Sequence, residues 1–142
     1  MHTVSQLLQT KGHMVETVDQ DSMVYDALAI MAEKGIGALV VMHAGKPVGL
    51  ISERDYARSI ILKGRSSKET KVGQIMSSHV VVAHPDQNIE ECMAIMTEKR
   101  VRHLPVMQGD ELIGIISIGD LVKAIIESQQ FMIEQLVSYI NG

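Results

Sequence analysis

Gly49-Leu50-Ile51-Ser52-Glu53-Arg54-Asp55 returns 65 residues later as Gly114-Ile115-Ile116-Ser117-Ile118-Gly119-Asp120. The same shift lays Ile30-Met31-Ala32-Glu33-Lys34 over Ile95-Met96-Thr97-Glu98-Lys99, without a gap. It also lays Leu39, Val41 and Met42 over Leu104, Val106 and Met107, and Ile60-Ile61 over Ile125-Ile126. Fifteen of the 42 positions from Asp21 to Leu62 are identical to their partners. Self-similarity at a fixed period marks a duplicated structural unit.

Each copy carries the same local pattern. Val24, Ala27, Leu28 and Met31 are spaced i, i+3, i+4, i+7, as are Ile89, Cys92, Met93 and Met96. That spacing predicts an apolar stripe on a helix of about three turns. Gly35 tolerates the left-handed stop after the first helix; Arg100 takes the same place in the second less readily. Two β-rich runs follow, Ala38 to Met42 and Val48 to Ser52, then His103 to Met107 and Leu112 to Ser117. Each pair predicts a hairpin. A helix is expected to begin near Ser52 and near Ser117, and a short strand to precede each unit, around residues 16–18 and 80–83. One such unit has too little apolar surface to stand alone, so two are expected to share a core. The repeat divides the chain into 1–70, 71–126 and a helical extension, 127–142. The segments Val4-Ser5-Gln6-Leu7-Leu8 and Val72-Gly73-Gln74-Ile75-Met76 resemble each other as lead-ins.

The composition narrows the function classes. A net charge of -4 gives no general basic face for nucleic acid. Cys92 is the only cysteine, which leaves no intrachain disulfide and no Cys-based zinc site. The six histidines are scattered, with no i, i+4 pair beside a helical acid, so no metal is expected. No secretory signal and no apolar run of about 20 residues is present, which predicts a cytoplasmic protein with no membrane segment. Neither a Walker loop nor a serine elbow occurs, and no enzyme is expected.

The chemistry sits in Ser52-x-x-Asp55 and Ser117-x-x-Asp120. In both, a strand ends at a hydroxyl and a carboxylate follows on the opening turn of a helix. One reading is a capping box, which satisfies orphan amides with no ligand. The other uses the free amides and dipole of a helix N-terminus to hold phosphate, and the carboxylate to hold a ribose cis-diol. The two can coexist, because a cap leaves carboxylate lone pairs free.

A duplication in which each copy carries Gly-apolar-Ile-Ser-x-x-Asp after a hairpin resembles the CBS-domain family in its paired form, over roughly Val4 to Ile126. The resemblance implies an α/β fold of the α+β type: two βαββα motifs packed sheet to sheet with pseudo-two-fold symmetry. It implies clefts that take adenine nucleotides or adenosyl compounds. Asp55 and Asp120 would hold ribose hydroxyls, and Ser52 and Ser117 would face phosphate. Backbone and apolar groups near Val18, Ala38, Ala83 and Leu104 would enclose adenine, and the Arg102-His103 pair of the run Arg102-His103-Leu104-Pro105 would lie near phosphates. Arg54, Arg58, Arg102 and His103 together suit a polyanion, so AMP, ADP, ATP or NAD(H) is preferred over S-adenosylmethionine, with no cofactor required. Phe131, Met132, Leu136 and Ile140 form an apolar stripe that folds back or meets a second chain, and the family's habit favours a homodimer. The output partner would be an unknown effector protein. The rival reading is a structural dimerisation module in which both motifs are only caps.

Overall fold

The computed structural model describes residues 2–141. The chain divides into two compact units, Val15–Val81 and the combination of Met1–Met14 with Val82–Gly142.

In the first of these, β1 (Thr17–Asp19), α2 (Val24–Lys34), β2 (Ala38–His43) and β3 (Lys46–Ser52) follow one another. The strands form a sheet in the order β1-β2-β3, with β1 parallel and β3 antiparallel to β2. The α2 stripe buries Val24, Ala27 and Met31 against Val18, Leu39, Val41 and Ile51. After β3 comes one α-helical turn, α3 (Glu53–Tyr56), continued by a π-helical stretch, Ala57–Ile61.

The other unit repeats the plan with α4 (Ile89–Lys99), β4 (His103–Gln108), β5 (Glu111–Ser117) and α5 (Ile118–Asn141). Its core contains Ile89, Cys92, Met96, Leu104, Val106, Ile116 and Leu121. Both hairpins carry a bulge at the same place, after Val41 and after Val106. In the first copy the irregularity falls beside Pro47, which has no N–H to give to a regular ladder.

The helix stops agree with the sequence reading. Gly35 closes α2 at φ 65° and Arg100 closes α4 at φ 55°, both left-handed. Arg100 carries a Cβ in a region that costs L-residues about 1 kcal/mol or more. Arg100→Gly is therefore expected to raise stability by about 0.5–1 kcal/mol, and Gly35→Ala to lower it by about 1 kcal/mol. A Cβ on Gly35 would meet no atom within 4 Å, so backbone strain alone acts there. Denaturant midpoints of the two variants moving the same way would remove this account.

One expectation is corrected. The strand near residues 80–83 is reduced to a single bridge, Ala83 to Val106. Two prolines explain it. In the first copy Val40 N–H donates to Glu16 and Gln20 N–H donates to Met42. Their counterparts are Pro105 and Pro85, which have no N–H. What remains is Ala83 N–H to Pro105 O and Met107 N–H to Ala83 O.

The compact units are cut differently from the repeat. The divisions 1–70 and 71–126 follow the repeat, but each compact unit is completed by the lead-in of the other copy. α1 (Val4–Lys11) buries Val4 and Leu8 fully in the unit that contains α4. The 3-10 turn Val72–Gln74 places Val72 and Ile75 in the core around α2. The bonding is matched pair by pair. Val4 and Ser5 donate to Gln87 and Pro85, as Val72 and Gly73 donate to Ser22 and Gln20. Met76 lies over Gly49 and Leu8 over Gly114. Glycine is needed at both because the lead-in comes too close for a side chain.

The extension is not separate either. α5 runs unbroken for 24 residues, burying Leu121 and Ala124 near its start. Phe131, Met132, Leu136 and Ile140 are exposed, so the stripe does not fold back on its own unit.

Candidate functional site

The ladder positions each motif before any ligand is considered. Ala38 pairs with Ser52 across β2 and β3, and His103 with Ser117 across β4 and β5. Each serine therefore ends a strand opposite the first residue of its neighbour, and the helix starts at once.

Both motifs form caps. Asp55 Oδ2 accepts from Ser52 N–H at 2.9 Å and from Ser52 Oγ at 3.1 Å, and Asp55 N–H donates to Ser52 Oγ at 3.2 Å. Asp120 Oδ2 accepts from Ser117 N–H at 2.8 Å, and Asp120 N–H donates to Ser117 Oγ at 3.2 Å. In each case the bonds use Oδ2. Among the described residues Oδ1 accepts none, so both carboxylates keep the capacity that a ribose hydroxyl needs.

The copies differ in electrostatics. Lys11 Nζ donates to Asp120 Oδ2 at 2.6 Å and to the Ile115 carbonyl at 2.5 Å. Asp55 has no cation in salt-bridge range among the described residues. Burial pushes the Asp120 carboxyl up, but hydrogen bonds from Lys11 and Ser117 and the ammonium charge outweigh it and hold it below the usual carboxylate range. His103 is lowered, first by burial and then by the Lys11 charge, with Asp120 opposing. Its imidazole is therefore held toward the neutral form, in which one ring nitrogen can still accept.

The expected site residues separate by unit. Val18, Ala38, Ser52, Arg54, Asp55 and Arg58 lie in Val15–Val81; Ala83, Arg102, His103, Leu104, Pro105, Ser117 and Asp120 lie in the other. Val18, Ala38, Ala83 and Leu104 are buried, so they offer backbone and small walls more than free side chains. Arg54, Arg58 and Arg102 are exposed and form no salt bridge among the described residues. Cys92 is in the core, and burial, with Glu91 adding to it, pushes its thiol up to about 11, which suits packing and not nucleophilic chemistry.

Sequence reasoning missed Lys11. Its partner is 109 residues away, and the corresponding lead-in position in the other copy is His79, so the repeat gives no signal. It missed His13 as well, whose Nδ1 lies 3.0 Å from the carbonyl of Ile113. Lys11 ends the lead-in helix and His13 follows it, and only the exchange of lead-ins brings them to β5.

Comparison with known proteins agrees with the two-copy plan. A CBS-domain protein structure from Burkholderia ambifaria MC40-6 is 51% identical, with a TM-score of 0.86 over 90% of this chain and 96% of that one. The structure of the CBS domain NE2398 is 46% identical, with a TM-score of 0.84 over 88% and 98%. Among curated proteins, the mitochondrial CBS domain-containing protein CBSX3 of Arabidopsis thaliana is 38% identical, over 99% of this chain and 72% of its own length. The CBS-domain family model matches residues 10–62 and 72–127, one match for each copy of the repeat. A duplicated hairpin-and-cap unit matched twice by one model, with relatives covering nearly the whole chain, makes this protein a member of the CBS-domain family.

Proposed function

We propose that the chain is a regulatory module that binds an adenine nucleotide (AMP, ADP, ATP or NAD(H)) and catalyses no reaction. The observation that carries this reading is the pair of half-used carboxylates. Asp55 and Asp120 each cap a helix through Oδ2 and leave Oδ1 open beside helix N-terminal amides. A cap alone needs no more than is already made; a ribose hydroxyl needs what is left. The CBS domain pair of MJ0100, which shares the fold at 20% identity, was solved in complex with 5'-methylthioadenosine and S-adenosyl-L-methionine. Those ligands belong to that protein, but they support an adenosyl group as the common element. The B. ambifaria relative is provisionally assigned to signal transduction.

In this reading the ligand acts through its differential affinity for two states of the module, and an effector protein on another chain carries the signal. The protein works in the cytoplasm as a homodimer, supported by the exposed apolar face of α5. Oligomers occur in the family, as in the hexameric CBS-CP12 protein of bloom-forming cyanobacteria. No helix among the described residues is long and apolar enough to cross a membrane, and neither membrane nor nucleic acid is among the proposed partners.

Thermal unfolding of ligand-stripped protein with AMP, ADP, ATP, NAD, NADH and S-adenosylmethionine tests the reading. A ligand at 100 times its Kd adds about 2.7 kcal/mol. Asp55→Ala and Asp120→Ala should each lose about 1 kcal/mol of stability with the cap and should weaken that ligand by at least about tenfold, the value of one good charged hydrogen bond. No saturable shift with any of the six would leave the structural dimer as the function.

A further inference from the structure

We propose that Lys11 makes the Asp120 site selective for adenosine ligands that carry a phosphate, a contribution that the Asp55 site lacks. The inference rests on the nucleotide-binding reading above and deepens it. α1 is anchored by Val4 and Leu8, both fully buried. Lys11 follows Leu8 by three residues, close to the same helix face, and this brings it to the end of β5. There its ammonium bridges the Ile115 carbonyl and Asp120 Oδ2. An ammonium has three N–H donors, so one remains, and the side chain is 29% exposed toward solvent.

Three consequences follow for a ligand at Asp120. Its ribose meets the free Oδ1, because Lys11 and the cap share Oδ2. A phosphate meets a carboxylate already neutralised by an ion pair at 2.6 Å, so the repulsion that a bare Asp would exert is removed. The third N–H of Lys11 is then available to a phosphate oxygen. Asp55 has none of this. Its Oδ2 is held by Ser52 alone, and no cation lies in salt-bridge range of it among the described residues. The repeat makes the two carboxylates equal in position, and a residue outside the repeat register makes them unequal in chemistry.

Calorimetric titration with AMP and with adenosine, on the full chain carrying Asp55→Ala, isolates the Asp120 site. AMP is expected to bind more tightly than adenosine. Lys11→Met should weaken AMP by about tenfold, the order expected for one partly solvated charge, and leave adenosine within about twofold. Lys11→Arg keeps the cation and should restore the preference for AMP, which separates charge from packing. If Lys11→Met weakens AMP and adenosine equally, Lys11 only positions the site and the inference is overturned. The same holds if neither affinity moves. Failure of the unmutated chain to bind either compound would instead overturn the nucleotide-binding reading itself.

Discussion

Gly49→Ala is expected to lower stability by about 3 kcal/mol and Gly114→Ala by about 1 kcal/mol, although the two glycines hold the same place in the repeat. A Cβ on Gly49 would lie 2.6 Å from the Ser77 carbonyl oxygen and 2.7 Å from the Met76 sulfur. The sulfur can swing away, but the carbonyl cannot. It accepts from Leu50 N–H, and Ser77 N–H donates back to Leu50 O, so moving it breaks a reciprocal pair. The nearest atoms to a Cβ on Gly114 would be the Leu8 methyls, at 2.7 and 2.9 Å. Those are the end of a side chain, which can give way where a carbonyl held in a reciprocal pair cannot. Urea unfolding of the two variants checks the order, and equal losses would show that backbone approach at Ser77 is not what excludes the methyl.

Leu8→Ala is expected to cost about 2–5 kcal/mol, the range for a fully buried leucine that leaves a cavity. The loss should be smaller in a Gly114→Ala background, because the new methyl enters the space that Leu8 leaves. The coupling should reach at least about 0.5 kcal/mol, as for residues in direct contact. Amide exchange adds a location. Protection should fall in β5 and α4, far along the chain from the substitution. A cost under about 1 kcal/mol would mean that α1 does not close the unit it is assigned to.

The sequence made much of this legible, and what it hid has physical causes. Stripes such as Val24, Ala27 and Met31 are local, and they are buried as their spacing requires. The hairpins were readable because each is bounded by turn residues; Ala44, Gly45 and Gly109 take positive φ there. The Ser-x-x-Asp caps were readable for the same reason, since every bond spans three residues. The missing strand at residues 80–83 was written in Pro85 and Pro105, but only once the pairing partners of Gln20 and Val40 were known. The likeness of Val4–Leu8 to Val72–Met76 shows that the segments are equivalent. It cannot show which copy each one serves, because a buried leucine satisfies either core. Lys11 is hidden by that same ambiguity.

The exchange of lead-ins also sets an order for the chain as it leaves the ribosome. The unit Val15–Val81 contains all of its own parts in one continuous stretch and can close when residue 81 has emerged. α1 is made before that unit and is fully used only after it, because its partners Gly114 and Asp120 come more than 100 residues later. At roughly 5–20 residues per second, Val4 and Leu8 wait about 5 to 20 s with no surface to cover them. Newly made chains therefore leave α1 uncovered longest, and helpers that bind nascent apolar segments would find their target there.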